Sequence, residues 1–486
     1  MIKYLFKNKI MMMVFILAVP ISCLFSVKFA LSFQPVIDAA SIKNISSLKN
    51  AAIWCGTFAM LDCIFMLVVR FAKENLLRES YISLKGELFS NIINMDIDNF
   101  NKENGGNYIS MLDNDVKLLS STYFSNFLSI YIVIMSFIFS FIAVFYLNYI
   151  ITIILLCVGF CSVMIPKLFE KKLAELQQKY SMSMQKYISW IKDFLDGFEV
   201  IKSFNIQKYV INSHEKYNSS TEYIGCSSRK FIYFVGWIST VFSSSMYVVT
   251  FVVGGYFAIV GKMTVGLVVS LSQLIGGVVA PLEQLPSILA EFHSSKKIVE
   301  KLQNIIEMDS INDEGIFPEN EVSEISLKDV SFSYTGSKIK ALKDVNIKLE
   351  RGKKYAIVGE SGSGKTTIAK MILRFYKPDY GNIKLNDYEI EELSSEYLYH
   401  SVSYMHQNTF LFDDIIKNNI TLYHDYADAE IMTALKLSGL SDFLNKLPEG
   451  INTKIGENGI MCSGGERQRL GIARALICRT KFLILD

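Results

Sequence analysis

Gly359-Glu360-Ser361-Gly362-Ser363-Gly364-Lys365-Thr366 decides how the C-terminal part of the chain is read. The spacing is GxxxxGKT, and it directly follows the apolar run Tyr355-Ala356-Ile357-Val358. The expected local structure is a strand over 354–358, a tight glycine loop, and a helix from Thr367 to about Phe375. Glycines allow successive backbone N–H groups to point inward at phosphate oxygens, which larger side chains would obstruct. In such a loop Lys365 reaches the β/γ-phosphates of a nucleoside triphosphate and the Thr366 hydroxyl ligates Mg²⁺. The helix start adds the positive end of its dipole to the anion site. A fortuitous glycine-rich turn is the competing reading, and the strand-like run just before the loop counts against it.

Working outward, Phe482-Leu483-Ile484-Leu485-Asp486 is an apolar strand that ends in a carboxylate, the form of a Walker B segment. Such runs are common, so the pattern is weak alone. Together with the phosphate loop it predicts Asp486 beside the triphosphate, where it helps to hold Mg²⁺. Between them, Cys462-Ser463-Gly464-Gly465-Glu466 opens a helix expected to run to about Cys478. Ser463 with Glu466 three residues on reads as a capping box. A further strand-like run covers 325–330, after a polar stretch over 311–324.

The N-terminal part is different in kind. The chain has 486 residues, of which 51% are hydrophobic, 13% aromatic and 20% charged. Its mean hydropathy is +0.29, too apolar for an ordinary soluble chain of this size. Lys+Arg (49) and Asp+Glu (47) nearly cancel, so no basic field invites nucleic acid and intrinsic disorder is excluded. Of the eight cysteines, Cys23, Cys55, Cys63, Cys157 and Cys161 lie in apolar runs, where Cys behaves as a small hydrophobe.

Six stretches meet the criterion of roughly 20 mostly apolar residues: 10–31, 51–71, 123–147, 149–168, 232–260 and 264–289. A signal peptide is the alternative for the first, but it is longer than a usual apolar core and lacks an obvious small-x-small cleavage site. Lys3, Lys7 and Lys9, then Arg70, Lys73, Arg78 and Lys85, then Lys167, Lys171 and Lys172, then Arg229 and Lys230, then Lys296, Lys297 and Lys301 flank the spans on one side. The other side carries only Lys43, Lys49 and Lys262. By the positive-inside rule both termini are cytoplasmic. The long inner stretches 72–122 and 169–230 are poor in Pro and show apolar spacing such as Ile188, Ile191, Leu195 and Phe198. They read as spans continuing into the cytoplasm as helices, with separate amphipathic surface helices as the alternative. Asp62, Lys28, Glu283 and Gln284 are polar residues within spans. They face either a functional site or merely a watery cavity and neighbouring helices.

In order and spacing these motifs resemble the ATP-binding cassette (ABC) transporters, specifically exporter-type half-transporters. The segment Cys462–Gly465 with Glu466 resembles the LSGGQ signature. The resemblance implies that Ser463, Gly464 and Gly465 cap the γ-phosphate held by the phosphate loop of a second nucleotide domain. Tyr334 resembles the aromatic that stacks on adenine, and Gln407 the Q-loop glutamine that senses Mg²⁺. Thr453-Lys454-Ile455-Gly456-Glu457-Asn458-Gly459 resembles the exporter X-loop. Residues 98–115 and 193–204 resemble the two cytoplasmic loops of six-span exporters. The resemblance therefore implies Tyr334, Gly359, Ser361, Gly362, Ser363, Gly364, Lys365, Thr366, Thr367, Gln407, Ser463, Gly464 and Gly465 as ATP contacts. Lys365, Gln407 and Asp486 would serve catalysis, and Thr366, Gln407 and Asp486 would hold Mg²⁺.

Two departures stand out. Cys462 and Glu466 replace Leu and Gln of the signature. The chain also stops at Asp486, before the catalytic glutamate, D-loop and switch histidine that follow in the family, and so resembles a C-terminally cut fragment. The expected fold is an α-helical six-span membrane domain over 1–292, a linker over 293–324, and an incomplete α/β P-loop nucleotide-binding domain over 325–486. The expected function is ATP-driven export across the plasma (cell inner) membrane by a homo- or heterodimer of half-transporters, embedded in a lipid bilayer, with unknown substrate. An ATP-binding, hydrolysis-deficient regulatory subunit of a heterodimer is the alternative, mildly favoured by Cys462 and Glu466. A soluble P-loop enzyme fused to an unrelated membrane anchor is the third reading.

Overall fold

The computed structural model describes residues 1–103, 105–308, 315–334, 339–456, 459 and 462–486, the side chains of 162, 163 and 166 excepted. They divide into two compact units: 1–90 with 109–307, and 91–108 with 308–486.

Long helices make the first unit. In chain order the helices are α1 (Lys9–Ser41), α2 (Ile45–Ile93), α3 (Ile97–Phe100), α4 (Gly105–Ser110), α5 (Val116–Leu119) and α6 (Ser125–Leu147). Then follow α7 (Tyr149–Asp196), α8 (Phe198–Ser203), α9 (Gln207–Ile259), α10 (Val265–Ser294) and α11 (Lys296–Ile306). Two π-helical turns, Met111–Asp115 and Ser120–Phe124, join α4, α5 and α6 into one run. Among the described residues five helical runs are long and apolar enough to cross a membrane: Lys9–Ser41, Ile45–Ile93, Gly105–Leu147, Gln207–Ile259 and Val265–Ile306. The fourth expected span opens α7, with the shorter apolar stretch Tyr149–Cys161 among the described residues.

At 1.5 Å per residue, the 49 residues of α2 and 53 of α9 rise about 74 and 80 Å, more than twice the hydrocarbon thickness. The spans thus continue as helices well beyond any bilayer. Side-chain caps start α1, α7 and α10: Asn8 Oδ1 accepts from Met11 N, Asn148 Oδ1 from Ile150 N and Ile151 N, and Thr264 Oγ1 from Leu267 N. Inside, α10 packs on α1 and α6, and α9 on α7, around Val144, Ile151, Leu155, Met246, Leu271 and Ile275. Lipid tails are as apolar as these side chains, so close packing and interhelical hydrogen bonds must hold the bundle. Asp38 shows how. Its carboxylate accepts from the Thr264 hydroxyl at 2.9 Å and from Gly266 N at 3.1 Å, tying the end of α1 to the start of α10. A Cβ on Gly266 would sit 2.4 Å from the Gln34 carbonyl oxygen, so only glycine permits that approach.

One expected face is displaced. Ile188, Leu195 and Phe198 are exposed, and the half-buried stripe runs through Tyr187, Trp190, Ile191 and Phe194. Tyr187 Oη bonds His214 Nε2 at 2.8 Å, and the Trp190 ring lies 4.5 Å from Phe194 and 5.4 Å from Tyr217. Aromatic surface fills most of that half-buried stripe, and Ile191 alone of the expected series joins it.

The second unit carries the sheets. β1 (Glu324–Phe332), β2 (Leu342–Glu350), β3 (Tyr380–Leu385) and β4 (Tyr388–Glu389) form an antiparallel sheet in the order β2-β1-β3-β4. The register of β1 shifts between Leu327 and Val330, where Asp329 adopts φ +50°, a bulge that re-aims the strand. β5 (Val402–Met405) and β6 (Phe482–Leu485) pair in parallel. The helices are α12 (Lys365–Ile372), α13 (Ser395–Ser401), α14 (Ile416–Thr421), α15 (Asp428–Leu437), α16 (Ser441–Leu444) and α17 (Gly464–Ile477). One core joins Ile325, Leu327 and Val330 to Ile368, Met371 and Ile372 of α12. A second, all-helical core joins Ile416, Ile420, Ile431 and Leu435 to Leu470, Ala473 and Ile477 of α17.

The expected strand over 354–358 is not formed: no described residue pairs with it, and Val358 is 88% exposed. An apolar run becomes a strand only where a neighbour supplies ladder groups, and here none does. The helix after the loop also differs from expectation, starting at Lys365 and ending at Ile372, where Arg374 turns at φ +55° and Phe375 N caps the Lys370 carbonyl.

Candidate functional site

The site grows from the ends of parallel strands. β5 and β6 pair Tyr404 with Ile484 and Met405 with Leu485, so the residues just beyond both strands emerge together. Asp486 N donates to the Met405 carbonyl at 3.2 Å, which fixes the carboxylate at that edge. α12 brings Thr366 to the same place, and the Thr366 hydroxyl donates to Asp486 Oδ1 at 2.8 Å. Two residues predicted from separate motifs thus stand in direct contact, across 120 positions of sequence.

The loop before α12 is shaped by glycine. Gly362 and Gly364 take φ +81° and +94°, and a Cβ on Gly364 would meet the Ala341 carbonyl oxygen at 2.7 Å. Lys365 Nζ donates to the carbonyls of Gly359 and Glu360 at 2.9 and 2.7 Å, folding back over the loop it would share with a phosphate. Gly359, Ser361, Gly362 and Ser363 are exposed, and Thr367 is buried. The Thr367 and Tyr334 hydroxyls bond at 3.0 Å, which places Tyr334 beside the loop. Its ring stands edge-on to Tyr376, centroids 5.2 Å apart at 85°. Tyr376 Oη in turn accepts from Asn101 Nδ2 at 3.0 Å, so the segment 91–108, between the long helices, reaches within two side chains of Tyr334. Gln407 lies in the loop two residues beyond β5, exposed at the same sheet edge as Asp486.

Tyr404 was not singled out from sequence. Its hydroxyl donates to Asp486 Oδ2 at 2.8 Å, and burial followed by the Asp486 carboxylate pushes its own ionisation well above the ordinary tyrosine range. Only the alternation of a short strand hinted that Tyr404 shares an edge with Gln407. Next to it, His406 packs edge-on at 4.4 Å, and burial with Lys370 and Arg474 nearby holds its imidazole below the usual histidine value. Asp486 opposes that shift without reversing it.

Ser463, Gly464 and Gly465 are not at this cluster; they form the start of α17. The capping box is complete: Glu466 N donates to Ser463 Oγ at 3.3 Å, and Ser463 N to Glu466 Oε2 at 2.8 Å. The Ser463 hydroxyl also donates to Glu466 Oε2 at 2.7 Å. These bonds, the hydroxyl first, hold the Glu466 carboxyl below its ordinary value. Cys462 is buried in the helical core, which explains an apolar side chain there. Glu457 and Asn458 of the X-loop-like segment lie outside the described residues.

The chemistry of the cluster is that of a phosphate site with a hard-cation corner. Thr366 and Asp486 offer two oxygens 2.8 Å apart, a donor set suited to Mg²⁺ completed by phosphate oxygens. Among the described residues no group of three or more His, Cys, Asp or Glu side chains could hold a metal ion without such a ligand.

Comparison with known proteins decides what this site belongs to. Residues 11–282 match the family model described as ABC transporter transmembrane region, and residues 342–486 match the one described as ABC transporter. The chain belongs to the ABC transporter family. A protein of Rickettsia typhi described as an export ATP-binding/permease protein is 28% identical over 493 residues, covering 99% of this chain and 84% of its own. The ATP-dependent lipid A-core flippase of Escherichia coli strain K12 is 27% identical over 408 residues, 83% of this chain and 70% of the flippase. Among solved structures, a bacterial Atm1-family ABC exporter with ATP bound superposes with a TM-score of 0.81 over 99% of this chain and 86% of that one, at 19% identity. That likeness establishes the shared fold: a helical membrane domain fused to a sheet-and-helix nucleotide-binding domain. Multi-pass membrane residence follows from the family and the apolar helices.

Proposed function

We propose that this ABC transporter is a half-transporter that drives export as a dimer. Export is powered by ATP, and the ATPase is coupled to transport across the membrane. The observation that carries the reading is the contact between Thr366 and Asp486 at the mouth of the glycine loop. Lys365 would exchange its two loop carbonyls for the β/γ-phosphates, and Tyr334 would stack on adenine, worth roughly 1–3 kcal/mol per base. Thr366 and Asp486, with Gln407 reaching across the sheet edge, would hold Mg²⁺. When bound, that ion neutralises charge developing on the phosphates.

Ser463–Gly465 of a second subunit would clasp the γ-phosphate from the other side, offering a hydroxyl, free N–H groups and a helix dipole. To do so the Ser463 hydroxyl must leave Glu466. ATP can close such a sandwich only by binding the closed state better than the open one. The segment 91–108, held against Tyr376, supports a path from nucleotide to the long helices. We read 1–292 as membrane domain, 293–324 as linker and 325–486 as nucleotide domain, with both termini in the cytoplasm and the spans in the plasma (cell inner) membrane. An amphipathic substrate suits the aromatic-rich spans. The regulatory-subunit alternative is not favoured, since the relatives are themselves export permeases and flippases.

Cross-linking tests the dimer. In a cysteine-free background, Ser361→Cys with Ser463→Cys should give a disulfide-linked dimer on oxidation with MgATP and little without nucleotide. A yield indifferent to nucleotide would contradict the shared site.

A further inference from the structure

We propose that the membrane bundle contains a pocket for an organic ammonium group, with the Asp62 carboxylate as its counter-charge. The proposal rests on the transport reading and narrows the substrate to cationic amphipaths.

A cavity of about 350 Å³ lies among α1, α2, α6 and α10 of a single chain. That is the low end of the size range for small-molecule sites, roughly 300–1,000 Å³. Its wall mixes aliphatic side chains such as Val19, Met66 and Leu274 with four serines, Gln273, Asp62 and Arg70. Asp62 Oδ1 is buried and has no hydrogen-bond partner. An unpaired carboxylate at membrane depth is costly, and such groups are retained where they meet a partner or do a task.

The candidate partners within the chain are otherwise placed. Lys28 on the facing helix is held over the Phe58 ring, 5.7 Å from its centroid. Arg70 lines the same cavity eight residues along α2, about 12 Å of helix rise away, and Asp62 Oδ1 has no bond to it. Arg70 instead repels a cation from its own end and so orients it toward Asp62. A carboxylate, four serine hydroxyls and an amide supply acceptors for the N–H groups of an alkylammonium, and the aliphatic part of the wall receives its apolar body. An anionic ligand would meet Asp62 as a like charge and could pair only at the Arg70 end of the cavity.

The test uses the full chain in phosphatidylcholine nanodiscs and three probes of one shape: 1-adamantylmethylammonium, 1-adamantanemethanol and 1-adamantanecarboxylate. Wild type should bind the ammonium probe at least tenfold more tightly than the other two. Asp62→Asn should lose that preference, Asp62→Glu should keep it within about threefold, and Met66→Trp, which fills the cavity, should weaken all binding. Fluorescent ATP analogue should bind each variant as it binds wild type, which reports folding. Displacement of the probe by added phosphatidylethanolamine assigns the ammonium to a lipid headgroup; no displacement assigns it to a free amine, and either outcome supports the pocket. Equal binding of the ammonium probe by wild type and Asp62→Asn, or equal binding of the carboxylate, overturns it. Asp62-dependent ammonium binding in a chain that fails to bind nucleotide would support the pocket and defeat the transport reading alone.

Discussion

The Thr366 hydroxyl lies 2.8 Å from Asp486 Oδ1, a bond that joins the phosphate loop to the end of β6. Both oxygens are placed by backbone: one by the first turn of α12, the other by the parallel ladder with β5. Neither requires a ligand to bring it there, so the corner we propose for Mg²⁺ is preorganised. Thr366→Val should leave ATP binding without Mg²⁺ nearly unchanged and remove most of the Mg²⁺-dependent gain, about tenfold or more. Titration of a fluorescent ATP analogue with and without EDTA reads the difference. An undiminished Mg²⁺ effect would show that the ion is held elsewhere.

Tyr404 predicts a smaller effect at the same corner. Tyr404→Phe removes the donor to Asp486 Oδ2 while keeping the ring against His406. A hydrogen bond to a charged group contributes about 1.5–3 kcal/mol at most, and partial exposure places this one at the low end. MgATP affinity should fall by about three- to tenfold, with thermal stability little altered. An unchanged affinity would make Tyr404 a spectator.

The membrane bundle offers a stability test independent of nucleotide. Asp38→Ala deletes both acceptors that hold the start of α10, and Gly266→Ala forces a Cβ into the Gln34 carbonyl. Each should destabilise the protein by about 1–2 kcal/mol, the scale of a lost cap or interhelical bond. Thermal unfolding in detergent should show lower midpoints for both, and the double variant should be less than additive because the two changes break one contact.

Glu466 sets a pH dependence. Its carboxyl titrates lower in the folded chain than the ordinary value of 4.5, because Ser463 bonds favour the ionised form. The unfolded chain therefore binds more protons in that window. The stabilisation is complete above 4.5 and is lost as pH falls through the folded value. Glu466→Gln should lower stability near neutrality and flatten the profile below about pH 4.5, so that the two proteins converge in acid. Acid-titrated circular dichroism of the two proteins compares the slopes.

Local chemistry explains what was legible. GxxxxGKT and the terminal Asp486 are short patterns whose function depends on backbone shape, so sequence located them, and the structure brings Thr366 and Asp486 into contact. Five of the six expected spans were equally legible because length and apolarity suffice, while the fourth shows only the shorter apolar stretch Tyr149–Cys161 among the described residues. The expected strand over 354–358 failed because a strand depends on its neighbours. Of the series Ile188, Ile191, Leu195 and Phe198 only Ile191 is half-buried, because aromatic residues share that face, which only packing could decide. Tyr404 carried no motif; its role comes from the register of β5 against β6. The unpaired state of Asp62 depends on where Lys28 and Arg70 are placed in space, which their sequence positions do not reveal.

Nucleotide affinity measures the central claim most directly. Equilibrium binding of fluorescent ATP analogue to the full chain in nanodiscs should be saturable and Mg²⁺-enhanced, and Lys365→Ala should weaken it by at least tenfold while the helical content stays constant. Binding by Lys365→Ala equal to that of the unaltered chain would contradict the account.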